Sequence, residues 1–145
     1  MDKSRLKHFY SKQEAQLYAF YKTFIHRIRQ DEYVVIPSYK DQYTVVLRAD
    51  ALEEGHTFCE PAPYDFSSLS IQEIEDLLLH ENCIEPFYNL RDSLMSIDPE
   101  VLSFLLQKKL PWELFIKMYL AYKGYNMQGQ DVDYEVAKKE WIEKF

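Results

Sequence analysis

The stretch EYVVIPSYKDQYTVVLR, residues 32–48, decides the fold. EYVVI and QYTVVLR are rich in β-branched and aromatic residues, and PSYKD between them carries turn formers. That pattern predicts two strands joined by a five-residue turn. Side chains alternate along a strand, so Tyr43, Val45 and Leu47 share one face, and Thr44, Val46 and Arg48 the other. A lone hairpin is marginal in water and needs an apolar cover.

The cover lies just upstream. In SKQEAQLYAFYKTFIHRIRQ, Ser11 is a helix cap and Glu14, three residues on, completes a capping box. Leu17, Phe20, Tyr21, Phe24 and Ile28 recur at helical spacing and form the expected buried stripe. Residues 1–30 are therefore read as a basic amphipathic helix, and 32–48 as the hairpin it packs.

Downstream of the hairpin the period is lost. Residues 49–69 hold two prolines and a glycine, which predicts a loop or strap pinned by Phe58, Tyr64 and Phe66. Residues 70–145 are helical in pattern. SIQE at 70–73 is a second capping box, and Pro86, Pro99 and Pro111 each suit the first turn of a helix. Gly124 is a left-handed helix terminator, and Asp131 or Asp133 caps the last helix. Residues 99–109 and 111–123 are apolar on more than one side, so they are expected at the centre of the fold. The expectation is a single compact α+β domain over 1–145, predominantly helical, with about six helices and one hairpin.

Composition narrows the function. With 47% hydrophobic and 28% charged residues, the chain is globular and not disordered. Only three glycines occur, and the P-loop, the dinucleotide-binding Gly-rich turn and the nucleophile elbow are all absent. No convergent catalytic set is visible, so no reaction is assigned, and a hydrolase whose site is assembled from distant residues remains a third reading. The first ten residues, MDKSRLKHFY, lack the apolar run of a signal peptide. No stretch approaches the ~20 apolar residues of a membrane span. Two cysteines suit a reducing compartment, so a cytoplasmic protein off the membrane is expected.

Charge is segregated. The first 30 residues carry seven Lys/Arg against two acids, although the whole chain has net charge −7. Residues 49–90 contain ten acids and no Lys or Arg: Asp50, Glu53, Glu54, Glu60, Asp65, Glu73, Glu75, Asp76, Glu81 and Glu85. An unpaired negative field of this kind attracts a basic protein surface, and buried aromatic anchors then hold the contact. Tyr64, Phe66 and Tyr88 are the expected anchors. The leading reading is a small acidic protein-binding module of the inhibitor or immunity type. A homodimer contact through the hairpin edge or the aromatic 111–125 segment is a further option. Lys22, His26, Arg27 and Arg29 could form a basic stripe, but an acidic body repels phosphate, so direct nucleic-acid binding is not expected.

Two stretches carry metal-like patterns. His56 with Cys59, and His80 with Cys83, form two His-x-x-Cys pairs that would supply a Cys2His2 zinc set. They lack the Cys-x-x-Cys knuckle, and an apolar core needs no metal to fold, so zinc is the alternative reading and no cofactor is favoured. GYNMQGQDVDYE at 124–135 places Gly129 and Glu135 as a calcium loop would. However, Gly124 stands in its first position and neutral Asn126 and Gln128 in the third and fifth, which counts against calcium.

Overall fold

The computed structural model describes residues 6–61, 66–79 and 84–143. The class is α+β: a three-stranded antiparallel sheet and, among the described residues, seven α-helices. The contacts of the chain gather into two compact units, residues 1–91 and 92–145.

In the first unit, strands β2 (Tyr33–Pro37) and β3 (Tyr43–Leu47) form the hairpin, with Val35 opposite Val45 and Val34 opposite Val46. A two-residue strand, β1 (His8–Phe9), pairs with the other side of β3, giving the order β1-β3-β2. The pattern of residues 8–9 is too short to reveal a strand in sequence.

Helix α1 (Lys12–Ile25) packs on the hairpin, as expected, and Ser11 Oγ accepts from the Glu14 N–H at 3.3 Å. Its buried positions are Ala15, Leu17 and Ala19, which join Phe9, Val35, Val45 and Ile84 in one core cluster. The large residues of the expected stripe behave differently. Phe24 is 57% and Ile28 52% exposed. Two alanines one turn apart, with no bulk beyond Cβ, let the helix backbone approach the sheet. The aromatic stripe is thereby turned aside from it. The helix also ends sooner than residue 30: a 3₁₀ turn follows at Arg27–Arg29, and Gln30 is left-handed with φ 59°.

The opposite sheet face carries a second cluster of Val34, Ile36, Val46 and Ala51, covered by Leu6 and Phe58. Thr44 is buried on this face, and its Oγ1 hydrogen-bonds His8 Nδ1 at 2.8 Å. Both faces of the hairpin therefore carry a packed apolar cluster.

The expected loop at 49–69 is partly regular. Helix α2 (Arg48–Glu53) opens it and brings Ala51 under the sheet. The chain then runs along the β2 edge, where Cys59 and Val35 exchange backbone hydrogen bonds at 2.8 and 3.0 Å. This single bridge covers an edge that would otherwise be open. Helix α3 (Ile71–Leu79) starts at a reciprocal capping box: Ser70 Oγ accepts from the Glu73 N–H, and Glu73 Oε1 from the Ser70 N–H, each at 3.1 Å. Helix α4 (Glu85–Met95) follows, and the boundary between the units falls within it, after Arg91.

The second unit contains α5 (Pro99–Gln107), capped by Asp98, and α6 (Trp112–Lys123). Helix α7 (Tyr134–Lys138) continues as a π-turn to Glu143. Fully buried Ala121 on α6 and Ala137 on α7 mark the contact of these two helices. The expectation that 99–109 and 111–123 are central is corrected: no α5 residue is buried, and Ala121 alone on α6. A unit of three short helices offers too little interior to cover apolar residues on every side of two of them.

Candidate functional site

The first turns of α1, the 3₁₀ turn at Phe66–Ser68 and helix α3 enclose a groove of about 390 Å³. Leu17, Phe66, Leu69 and Leu77 supply its apolar surface, and Glu14, Glu73 and Asp76 supply three carboxylates. Its described lining contains no Lys or Arg. Each acid is placed by local helix chemistry. Glu14 and Glu73 are the third residues of capped helices, and Asp76 follows Glu73 by one turn and accepts from Gln72 Nε2 at 3.0 Å. The three do not converge into a cluster able to hold a metal ion.

A second pocket, about 200 Å³ in volume, continues along α1. Leu17, Phe20, Tyr21, Phe24, Phe66, Ile84, Pro86 and Phe87 line it, so Leu17 and Phe66 border both spaces. The Phe66 ring lies 6.4 Å from that of Phe20 and 5.9 Å from that of Phe87, in tilted contacts favoured by aromatic quadrupoles. Burial raises the Tyr21 phenol above its usual range, and the charge of Glu85 adds to the shift.

Of the expected partner-binding residues, the fold brings together Phe66, Glu73 and Asp76. Asp50 lies elsewhere, in a pocket of about 320 Å³ that also contains Lys7, Tyr18, Lys22 and Tyr33. Glu53 ends α2 and is exposed. Glu54 Oε2 meets His56 Nε2 at 2.8 Å. Glu60 is not part of an unpaired field, because the Arg48 guanidinium binds both of its carboxylate oxygens. Arg48 stands one residue before the basic-free window begins, so sequence distance hid the pairing. Tyr88 lies half-buried on α4, outside the groove lining. Tyr64, Asp65 and Glu81 lie outside the described residues.

Glu14, Phe20, Phe24 and Phe87 were not expected at a site. Glu14 reads locally as a capping residue, Phe20 and Phe24 read as core, and Phe87 reads only as part of the helix that Pro86 opens. Only the depth of Ala15 and Ala19 shows that the aromatic side of α1 is free to line a cavity.

Cys59, a free thiol, packs against the core beside Val35, and His56 is engaged with Glu54. His80 and Cys83, the other half of the zinc set, lie outside the described residues. The 124–135 loop closes on its own side chain. Buried Asn126 Oδ1 accepts from the N–H groups of Gln128 and Gln130 at 3.0 and 2.8 Å. That oxygen is thereby committed to the backbone of its own loop.

The basic residues near the end of α1 pack on rings of their own chain. Lys22 Nζ lies 5.5 Å from the Tyr33 ring centre, and the Arg27 guanidinium 4.1 Å from that of Phe24. The His26 ring centre is 5.5 Å from that of Tyr33. Among the described residues, no helix is long and apolar enough to cross a membrane. Comparison with protein-family models, curated proteins and solved structures finds no match to this chain.

Proposed function

We propose that this chain is a protein-binding module, of the inhibitor or immunity type, that receives a basic segment of its partner in the groove between α1 and α3. The observation that carries the reading is the groove lining: three acidic residues beside four large apolar ones, with no described cation among them. A net charge of −7 adds a long-range attraction that raises the rate of encounter. The apolar residues supply contact area that a solvated acidic face lacks. A free, core-packed Cys59 suits a reducing compartment, and we place the protein in the cytoplasm.

The test is affinity capture with the wild-type chain and with a Glu14→Lys/Asp76→Lys variant. Both side chains project from helices whose cap bonds, made by other atoms, the changes leave in place. The reading expects a basic protein that the wild type retains, the variant loses, and rising salt releases. Retention of every captured protein by the variant would sink it.

A further inference from the structure

The groove and the aromatic pocket are two halves of one surface. Along α1 the acidic groove is lined by Ser11, Gln13, Glu14 and Leu17, and the aromatic pocket by Leu17, Phe20, Tyr21 and Phe24. The second set repeats the first about seven residues further on. At the rise of an α-helix, that offset separates the two stretches of α1 by about 10 Å. Chemistry changes over this distance from three carboxylates to a lining of aromatic and aliphatic side chains.

We infer that the occupant is one segment of a partner protein carrying two determinants about 10 Å apart: a Lys or Arg side chain among Glu14, Glu73 and Asp76, and one large apolar side chain in the aromatic pocket. The inference rests on the binding role proposed above and adds the grammar of what is bound. Charge complementarity orients the segment, because a cation placed in the aromatic half would forfeit all three carboxylates. The apolar anchor supplies the burial that separates a specific complex from a salt-sensitive encounter. A separation of about 10 Å corresponds to seven residues of a helix or three of an extended strand. Both lie within known ways of laying a peptide into a groove.

The probe is a displayed library of random 12-residue peptides selected on the full chain, with the enriched peptides synthesised and their affinities measured. The expected result is enrichment of one Phe, Leu, Ile, Met or Trp paired with Lys or Arg at a spacing of seven or three. Asp76→Lys should weaken such peptides at least about tenfold, and Phe24→Ala, at an already exposed ring, at least about fivefold. Circular dichroism of both variants checks that the fold is retained. Enrichment of basic peptides with no fixed apolar partner, insensitive to Phe24→Ala, overturns this inference and leaves the acidic-groove reading standing. Enriched peptides indifferent to both substitutions overturn the two together.

Discussion

Arg48 and Glu60 form a two-point ion pair across the strap that follows the hairpin, while Arg48 Nε donates to Glu32 Oε2 at 2.6 Å. One guanidinium thus ties the end of the sheet to the segment that covers its edge. It also lies 5.6 Å from the centre of the Phe58 ring, which caps the second core cluster.

The Arg48 hydrogen bonds hold the Glu60 carboxyl below its ordinary pKa. A carboxylate with a lowered folded-state pKa contributes stability that is complete above its unfolded value. That contribution disappears as pH falls through the folded value. Because the pair is partly exposed, Glu60→Gln is expected to cost only about 0.5–1 kcal/mol at pH 7. The difference from wild type should shrink below pH 4. Urea denaturation at both pH values checks this, and an equal difference at each would exclude the ion pair as its source.

Ala19 is fully buried between α1 and the sheet, whereas Phe24 is more than half exposed. Ala19→Leu should therefore destabilise by about 1–3 kcal/mol through overpacking. Phe24→Ala should cost under about 1 kcal/mol, although it deletes far more apolar volume. The ranking of their melting temperatures decides whether the alanine face or the aromatic face is the structural one.

Gly124 has φ +78°, and a Cβ placed there would meet the Val132 carbonyl oxygen at 2.8 Å. Since backbone cannot swing aside as a flexible side chain can, Gly124→Ala should cost about 1–3 kcal/mol. Hydrogen exchange should then report faster opening of the Val132 N–H, which donates to the Gly124 carbonyl at 2.7 Å.

Asn126 organises the loop that resembles a calcium site. Asn126→Ala removes the acceptor of two backbone N–H groups and should cost about 1–3 kcal/mol. Asn126→Asp retains the acceptor and should cost less. Millimolar calcium should leave the wild-type melting temperature unchanged, and a rise on its addition would show that the loop binds the ion after all.

Signals that act within a few residues were legible. The Ser11 cap, the capping box at Ser70, the Asp98 cap, the Gly124 terminator and the two hairpin strands follow from local chemistry and period. The turn, by contrast, falls at residues 38–42 and not at PSYKD, because Pro37 still pairs with Tyr43. Distance in sequence defeated other readings. Arg48 pairs with Glu60 across the edge of a charge window, and Asp50 and Asp76, both within it, line different pockets. Size is a poor guide as well, because the large aromatics Phe20, Tyr21 and Phe24 on α1 read as core by spacing, while Phe24 is 57% exposed.

By itself, the sequence determined that this is an α+β chain with a hairpin under its first helix, acidic overall and segregated in charge. Periodicity, capping and composition are local or summed properties, and they survive without coordinates. Tertiary structure alone decided which face of α1 is buried, and it brought Glu14 within one groove with Glu73 and Asp76. The physical reason is packing. Helix and sheet approach each other where side chains are smallest, at Ala15 and Ala19, and every other placement on α1 follows from that contact.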